Sequence, residues 1–318
     1  MKRLMSTVGT SKQDWLRKRK TGLTGTDCSC IVNMNPYRSA YDVFLDKTTD
    51  AIKEEDNEAM RQGRDLEEYV AKRFEEETGF KLRRANAIYY NEEHPVLLAD
   101  FDRLIVGQKA GVECKTVSPF SADKWKDGRT PTHYILQTLH YLAVSDYDCW
   151  YIAALIFGTG FVIRKIERDQ ELIDHLITIE ERFWEHNVLG GNVPEPDGSE
   201  NYSEMLKSQY FNCKKENKVQ LFGVESDLKR RDEIRELIDK LEKEKAVIEQ
   251  KIQLQLGQAD SVYGTAGPYN ISWISTVSQR IDTGKLKEEE PEIYEKYLKE
   301  VQGKRFTVKK VKVNINAA

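Results

Sequence analysis

Several hallmarks of other protein classes are missing from this sequence. Its five cysteines form no Cys-x-x-Cys pair and no cluster with histidine, which argues against a zinc ribbon and against a disulfide framework. Unpaired cysteines fit a reducing compartment, so we expect the protein in the cytoplasm. No segment approaches the roughly 18 consecutive apolar residues of a spanning helix, and residues 1–10 lack an apolar segment of signal-peptide length. We therefore expect neither a membrane protein nor a secreted one.

An excess of positive charge is also missing. The 49 lysines and arginines are balanced by 53 aspartates and glutamates, which gives a net charge of −4 at pH 7. This balance excludes a global polycation for nucleic acids, but local basic stretches at 17–20, 83–84 and 124–129 can still follow a phosphate backbone. The sequence has no Gly-x-x-x-x-Gly-Lys-Ser/Thr loop, which excludes an ATP motor of that type. The histidines show no metal-binding spacing, and we expect His140 to be a packed helical residue.

The chain of 318 residues is long enough for about two domains. An apolar period of four, with charges opposite, predicts a helix at 61–78 that ends at Gly79. Apolar and alternating runs predict strands, the longest at 96–106. The order of helix, strands, helix, strands and helix predicts an α/β core with helices packed on a mixed sheet. The other elements predicted for this core are strands at 86–90, 111–116, 149–157 and 161–166 and helices at 134–144 and 170–186.

Glycine and proline concentrate at 190–202, so we predict a core at 1–200 and an α/β appendage at 201–318. The appendage has a long charged helix at 226–256. Its single apolar stripe is typical of packing within the same domain, and an intermolecular coiled coil is the alternative. No acid and lysine set recurs on strands here, so we expect it to be non-catalytic. The other elements predicted there are strands at 270–277 and 304–313 and a helix at 291–300.

Two neighbouring strand-like segments carry charged residues where apolar ones are expected. Asp102 belongs to the first segment, and Glu113-Cys114-Lys115 belongs to the second. Side chains alternate along a strand, so Glu113 and Lys115 share one face. Asp102 and Glu113 can then hold a hard cation such as Mg²⁺, with the Cys114 carbonyl as a third oxygen ligand. Lys115 can assist an attacking water or balance phosphate charge. The alternative is an exposed strand face with an ordinary ion pair.

Two helical polar residues lie at the edges of predicted apolar stripes. Glu67 can reach a metal-bound water or a second ion, and the alternative is a solvated glutamate on a charged helix. Gln137 is similarly ambiguous, because it is one position from the apolar stripe of its helix. Pattern alone leaves both alternatives open.

Six short motifs occur in an order that resembles the YqaJ-type viral recombinases, the phage lambda exonuclease branch of the PD-(D/E)xK nucleases. The resemblance covers about residues 12–190. It implies a restriction-endonuclease-like core, with a mixed central sheet flanked by helices. The motifs are Trp15-Leu16-x-x-Arg19, Gly22-Leu23-Thr24-Gly25-Thr26-Asp27, Asn35-Pro36-Tyr37-x-Ser39, Gly63-x-x-Leu66-Glu67, Asp102 with Glu113-x-Lys115, and Gln137-x-x-x-Tyr141.

The resemblance also implies an activity and partners. Members of the family are 5′-to-3′ exonucleases that require Mg²⁺, for which Mn²⁺ is expected to substitute, and they act on double-stranded DNA ends. Degradation of one strand leaves 3′ single-stranded tails for homologous recombination. A phage single-strand annealing protein is the expected partner, and a ring-shaped trimer around DNA is the expected assembly. A phage or prophage origin in a bacterial host cell follows from the same resemblance.

Residue roles carry over at the matching positions. Asp102 and Glu113 match the metal-binding acids, with the Cys114 carbonyl beside them, and Lys115 matches the catalytic lysine. Three further matches are the helical acid Glu67, the glutamine Gln137 near the site, and the pair Arg19 and Thr26 that holds the 5′-phosphate. Arginine binds phosphate in a bidentate manner, and a hydroxyl at a helix start favours anions. We also predict that Thr26 or Asp27 caps this short helix.

The sequence departs from the family pattern around the first acid. Phe101 and Arg103 stand where the family has proline and glycine. Asp100 therefore competes with Asp102 as the ligand, and alternation places both on one face. The spacing to Glu113 favours Asp102.

Two other functions remain as alternatives. One is an endonuclease or structure-selective nuclease of the same fold, which would have no processive channel. The other is a non-catalytic adaptor that binds DNA ends. Clustered carboxylates argue against the adaptor, because they repel phosphate unless a metal ion intervenes.

Overall fold

The chain divides into two compact units, Met1–Ser208 and Gln209–Ala318. The division lies near the glycine- and proline-rich segment of the sequence, while the separate roles that we predict for the two parts stay predictions. Each unit is described by itself. The computed structural model describes residues 1–52, 57–212, 218–267, 269–299 and 305–308.

The first unit alternates helices and strands. A 3₁₀ helix at Pro119–Trp125 and a π-helical turn at Trp184–Leu189 complete it. In chain order its elements are β1 (Lys2–Ser6), α1 (Lys12–Arg19), α2 (Gly25–Ile31), α3 (Ala40–Thr48), α4 (Glu58–Thr78), β2 (Leu82–Arg84), β3 (Ala87–Tyr90), β4 (Leu98–Asp100), β5 (Arg103–Ile105), β6 (Ala110–Val117), α5 (Thr132–Val144), β7 (Cys149–Ile156), β8 (Gly160–Glu167), α6 (Gln170–Phe183) and α7 (Glu200–Gln209).

A five-stranded mixed sheet forms the centre of this unit, in the order β2-β5-β6-β7-β8. The pair β6 and β7 is parallel, and the other pairs are antiparallel. Parallel neighbours need a crossover, which α5 provides. Strand β7 reads Cys-Trp-Tyr-Ile-Ala-Ala-Leu-Ile and is almost entirely buried, as expected for a strand covered on both faces. The predicted α/β core with a mixed sheet is confirmed.

Helix α4 shows why its sequence forms a helix there. The Asn57 side chain caps its start by accepting a hydrogen bond from the Met60 amide. Gly79 ends it in a left-handed conformation, with φ of 74°. Val70 and Phe74 are fully buried in a cluster that includes residues of β6 and β7. The helix predicted at 61–78 is confirmed and begins three residues earlier.

The prediction of one strand at 96–106 is wrong, because this segment forms two short strands that belong to two different sheets. Strand β4 belongs to the antiparallel sheet β1-β3-β4, whereas β5 belongs to the central sheet. Phe101 and Asp102 lie between them. The Phe101 ring is buried against Tyr89, Tyr141 and Trp150, which anchors the break in the core.

The cap of α2 also differs from prediction. The helix begins at Gly25, and Thr24 is its N-cap rather than Thr26 or Asp27. The Asp27 carboxylate accepts a hydrogen bond from the Thr24 amide at 2.9 Å, which closes a capping box. The same carboxylate pairs with Lys47 at 2.9 Å.

The second unit has a long helix, a hairpin and two short helices. Leu256 is buried, whereas the stripe residues Ile234, Ile238 and Leu241 are at least two-fifths exposed. The predicted strand at 304–313 lies mostly outside the described residues, and 305–308 have no regular structure. No helix in the described part of either unit is long and apolar enough to cross a membrane. The elements are α8 (Glu225–Gln258), β9 (Tyr263–Ala266), β10 (Tyr269–Ser272), α9 (Thr283–Glu289) and α10 (Pro291–Tyr297).

Candidate active site

Glu113 is the centre of a polar cluster inside the first unit. Alternation along β6 places Glu113 and Lys115 on one face, where Lys115 Nζ lies 2.6 Å from Glu113 Oε1. Gln137 of α5 donates a second hydrogen bond to the same oxygen at 2.7 Å. Glu113 is only 4% exposed. Its other oxygen, Oε2, is buried and has no hydrogen-bond partner among the described residues. A carboxylate oxygen left in this state costs free energy unless a cation or water reaches it.

Asp102 lies beside this cluster, at the bend between β4 and β5. Its Oδ2 accepts a hydrogen bond from the Cys114 amide at 2.8 Å. Burial, and then the negative charges of Glu113 and Glu67, raise the pKa of Asp102 well above its usual range. The Lys115 ammonium and the Cys114 amide oppose this rise but do not cancel it. The three carboxylates therefore create a strongly negative potential in a buried place.

Lys115 remains a fixed positive charge in this environment. Burial by itself would lower the pKa of its ammonium, but Glu113 and Asp102 raise the pKa above its ordinary value. The ammonium lies 4.9 Å from the centre of the Tyr134 ring, in cation–π contact. A lysine that keeps its proton can stabilise negative charge, but it is a poor proton acceptor at neutral pH.

The cluster is suited to a hard divalent cation. The orphaned Glu113 Oε2 and the carboxylate of Asp102 are oxygen donors of the type that Mg²⁺ prefers. Within the described part of the chain, no three His, Cys, Asp or Glu side chains are grouped as a metal site. An ion here would rely on Asp102, Glu113, the Cys114 carbonyl and water. That set fits Mg²⁺, which usually keeps several waters and binds one or two protein carboxylates.

Glu67 of α4 faces the cluster but is already paired. Arg103, which is 3% exposed, forms an ion pair with Glu67 and a second one with Glu68 at 3.0 Å. Arg103 occupies the position where the family pattern has glycine. The charge of Glu67 still contributes to the raised pKa of Asp102, so the two carboxylates are neighbours. Contact of Glu67 with an ion or its water would compete with Arg103.

Asp100 is committed to a different partner. It is the last residue of β4, and its Oδ2 accepts a hydrogen bond from the indole Nε1 of Trp15 at 2.5 Å. Burial raises the pKa of Asp100, although Trp15 and the charge of Arg19 act in the opposite direction. Asp102 by contrast contacts the backbone of β6 next to Glu113. The geometry thus favours Asp102 over Asp100 as the partner of Glu113.

Arg19, Thr24 and Thr26 form a second polar group near the carboxylates. The guanidinium of Arg19 stacks on Trp15 at 4.4 Å, and its Nη2 lies 3.3 Å from Thr24 Oγ1. The Thr24 and Thr26 hydroxyl oxygens lie 3.3 Å apart. The positive charge of Arg19 affects the pKa of Asp100, which places it close to the acidic cluster. Thr24 Oγ1 donates its own proton to Asp27 Oδ2 at 2.8 Å, so the Arg19 guanidinium and the Thr26 hydroxyl are the donors available to a phosphate.

Gly25 allows this group to approach the carboxylates. A Cβ atom at Gly25 would lie 2.7 Å from Tyr141 Cε1 and 3.0 Å from Gln137 Cγ, so only glycine permits this contact of α2 with α5. Gln137 then links α5 to Glu113. The packed pair of α2 and α5 therefore joins Thr26 of one polar group to Gln137 of the other.

Sequence analysis missed several contributors to the site. The roles of Trp15, Tyr141 and Arg103 were not predicted, although all three belong to or adjoin the motifs. The four-residue spacing of Gln137 and Tyr141 was a usable signal, since such pairs lie on one helix face; Gln137 Nε2 and the Tyr141 hydroxyl are 2.7 Å apart. Tyr134 lies three residues before Gln137, a spacing that also places two side chains on one helix face. No local sequence pattern indicated that Arg103 pairs with Glu67 and Glu68.

His140 is a packed residue, as predicted. It is fully buried on α5, with Nδ1 2.8 Å from Glu180 Oε1 and Nε2 2.9 Å from the Leu98 carbonyl. Both ring nitrogens face acceptors, and Glu180 with the Leu98 carbonyl raises the pKa of His140 above its ordinary value, which favours the protonated imidazolium. It joins α5 to α6 and β4 without contact to the carboxylate cluster.

Comparisons with known proteins agree with the motifs. Residues 14–148 match the model of the YqaJ-like viral recombinase domain. The uncharacterised protein YqaJ of Bacillus subtilis (strain 168) is 39% identical over 305 residues, which are 95% of each chain. An alkaline exonuclease from Laribacter hongkongensis has a similar fold, with a TM-score of 0.50 and 18% identity over 62% of this chain and 99% of that chain. The chain belongs to the YqaJ-like viral recombinase family.

Proposed function

We propose that this protein is a Mg²⁺-dependent exonuclease that degrades one strand of double-stranded DNA in the 5′-to-3′ direction. The product is a duplex with 3′ single-stranded tails, which serve phage-type homologous recombination. The observation that carries this proposal is the buried, unpartnered Glu113 Oε2 beside Asp102 and the charged Lys115. A buried carboxylate oxygen without a partner lowers the stability of the fold. Its presence is explained if the cluster catalyses phosphodiester hydrolysis.

The residues divide the chemistry among themselves. Asp102, Glu113 and the Cys114 carbonyl would hold Mg²⁺, with Mn²⁺ as a substitute. When bound, such an ion neutralises phosphate charge and lowers the pKa of coordinated water. Lys115 stabilises the negative charge that develops on the phosphate oxygens, because its ammonium stays protonated. Gln137 fixes the Glu113 carboxylate through the hydrogen bond to Oε1.

Glu67 has a supporting role in this proposal. Its negative charge raises the pKa of Asp102, so the two carboxylates share one electrostatic environment. Arg103 holds Glu67 in place and so fixes α4 against β5. We propose that Glu67 orients water near the ion through one oxygen while Arg103 holds the other.

The strand polarity would come from recognition of the 5′ end. Arg19 offers a guanidinium and Thr26 a hydroxyl close to the carboxylate cluster, and Thr24 positions both through its own oxygen. A terminal 5′-phosphate bound there would place the adjoining phosphodiester bonds toward Glu113. Recognition of the end, rather than of the interior of the duplex, makes the reaction exonucleolytic.

We also propose an assembly and a partner. A ring-shaped trimer around DNA would keep the enzyme on its substrate, and a phage single-strand annealing protein would coat the exposed 3′ tail. We propose that the second unit braces the ring, contacts DNA or holds the annealing protein, with a purely structural lid as the alternative. Of its basic C-terminal residues, Arg305 is described, whereas Lys304, Lys309 and Lys310 lie outside the described residues.

The proposal is tested with linear duplex DNA labelled at either the 5′ or the 3′ end of one strand, in Mg²⁺ and in EDTA. We expect early release of the 5′ label as mononucleotide, persistence of the 3′ label on long strands, and no reaction in EDTA. Covalently closed circular DNA is the control and should survive. Degradation of the circle would favour the endonuclease alternative. Binding of ends without hydrolysis in Mg²⁺ or Mn²⁺ would favour the adaptor.

A further inference from the structure

Tyr37 is an exposed aromatic side chain on a turn that is held rigidly. The residue is 75% exposed. Asn35 Oδ1 accepts hydrogen bonds from the amides of Tyr37 at 2.9 Å and Arg38 at 3.1 Å. The Asn35 Nδ2 group donates to Ser29 Oγ at 2.9 Å, and Pro36 restricts the backbone between them. The fixed turn presents the tyrosine ring to solvent without a folding benefit from burial of that ring.

A row of aromatic rings connects Tyr37 to the candidate active site. The Tyr37 ring meets His133 edge-on, with ring centres 6.0 Å apart and planes at 89°. His133 lies 4.0 Å from Tyr134, and the Tyr134 ring contacts the Lys115 ammonium at 4.9 Å. The row therefore begins at the catalytic lysine and ends at an exposed ring.

His133 is uncharged in this row. Burial, with the positive charges of Lys115 and Lys124, lowers the pKa of His133 to about 4. Its Nε2 is buried and has no hydrogen-bond partner among the described residues. A neutral ring cannot attract phosphate by charge, whereas its face can stack on another planar ring. Lys115 and Lys124, which lie near it, supply the positive charge for the strand backbone.

We propose that the exposed Tyr37 ring, supported edge-on by His133, is a stacking site for a nucleobase of the DNA strand whose phosphate lies at Lys115. The inference rests on the proposed nuclease function and adds to it a contact with the bases. Every nucleobase has a π face, so such a site accepts any sequence, as a processive exonuclease requires. A base held there would position the adjoining phosphate before hydrolysis.

Binding is measured apart from hydrolysis. The full-length protein is titrated in EDTA with duplex DNA that has a 5′-phosphate and one 2-aminopurine placed in turn at each of the first four nucleotides. With the native protein we expect the 2-aminopurine fluorescence to be quenched at one or two of these positions, because stacking on an aromatic ring quenches 2-aminopurine. Tyr37→Leu should lose this quenching, and Tyr37→Phe should keep it. Absence of quenching at all four positions in the native protein would overturn the proposal, whatever the hydrolysis assay shows.

Hydrolysis provides the second measurement. A single abasic nucleotide at the quenching position should slow the native enzyme and Tyr37→Phe by roughly tenfold. Tyr37→Leu should be slowed roughly tenfold on intact DNA and should not distinguish intact from abasic DNA. Tyr69→Leu is the matched control, since Tyr69 on α4 is 48% exposed and lies outside the row. Equal loss in Tyr69→Leu, or full abasic discrimination in Tyr37→Leu, would contradict the stacking site.

Two controls distinguish a loss of stacking from a loss of folding. A comparison of binding with hydrolysis distinguishes this inference from the proposed function. Thermal unfolding midpoints should coincide for the native protein and both Tyr37 variants, because the ring is mostly exposed. His133→Leu is the second variant and should also reduce quenching. A native protein that quenches 2-aminopurine but hydrolyses no DNA would contradict the nuclease function and leave the stacking site standing.

Discussion

The carboxylate of Asp102 accepts a hydrogen bond from the backbone amide of Cys114, with a distance of 2.8 Å between Oδ2 and N. This contact joins the bend after β4 to the strand that carries Glu113 and Lys115. It fixes one aspartate oxygen and brings Asp102 next to the buried Glu113, whose charge raises the pKa of Asp102. The carboxylates therefore disfavour each other's ionised forms, and five predictions follow from this site and the packing around it.

Asp102→Asn should stabilise the metal-free protein. Asparagine keeps the shape of the aspartate side chain and removes the negative charge that Glu113 and Glu67 repel. The thermal unfolding midpoint should rise by roughly 2–4 °C for each kcal/mol of repulsion relieved. Mg²⁺ should raise the thermal midpoint of the native protein and leave that of the variant unchanged. Differential scanning fluorimetry in EDTA and in Mg²⁺ measures both effects.

The same substitution predicts a pH dependence. Because the folded-state pKa of Asp102 is raised, its contribution to stability is fully present below the unfolded pKa and is lost as pH rises through the folded pKa. In EDTA, the native midpoint should therefore fall relative to that of Asp102→Asn as pH rises from about 4 toward neutrality. A constant difference across that range would show that Asp102 ionises without penalty.

Glu113→Gln and Lys115→Met should each reduce DNA hydrolysis by about a hundredfold or more. Glutamine cannot provide the anionic oxygen, and methionine keeps the length of lysine without its charge. Gel-shift binding in EDTA should remain in both variants, since neither alters Arg19 or Thr26. Lys81→Met is the control, because Lys81 lies outside the cluster. Undiminished hydrolysis by Glu113→Gln would place the active site elsewhere.

Arg19→Ala should remove a preference for 5′-phosphorylated ends. The native enzyme should degrade a 5′-phosphate end faster than a 5′-hydroxyl end, because the guanidinium and the Thr26 hydroxyl bind the phosphate. The ratio of the two initial rates is the measured quantity. Arg17→Ala is the matched control, as Arg17 lies on the same helix and pairs with exposed Asp14. A ratio that persists in Arg19→Ala would disprove the phosphate site.

His140→Ala should destabilise the fold by about 3–5 kcal/mol, because it leaves the fully buried Glu180 carboxylate without its partner. Burial by itself lowers the pKa of His140, but Glu180 and the Leu98 carbonyl raise it above the ordinary value of 6.5. The pair's contribution to the free energy of unfolding is complete below about pH 6.5 and is lost as pH rises through the folded pKa.

Urea unfolding at several pH values measures this contribution. The double variant His140→Leu, Glu180→Leu is the control, because it removes both charges from the buried site. We expect the native protein to lose stability relative to the double variant as pH rises above 6.5. Parallel curves for the two proteins would show that the pair does not titrate in this range.

The sequence determined the parts of the site that depend on local periodicity. Alternation placed Glu113 and Lys115 on one strand face, and they are 2.6 Å apart. A period of four identified α4, whose Val70 and Phe74 are buried. The order of motifs identified the family because short sequence patterns reflect local chemistry that needs no tertiary contact to be recognised.

Other parts of the site were decided only by the tertiary structure. Strand alternation places Asp100 and Asp102 on the same face. The extended segment is interrupted between two sheets, however, so the Trp15 indole donates to Asp100 and the Cys114 amide donates to Asp102. The ion pair of Arg103 with Glu67 spans 36 residues. Periods of 2 and 3.6 residues repeat only within one strand or helix, whereas these contacts depend on how separate elements pack. The sequence therefore identified the candidate residues, and packing between elements decided which of them face one another.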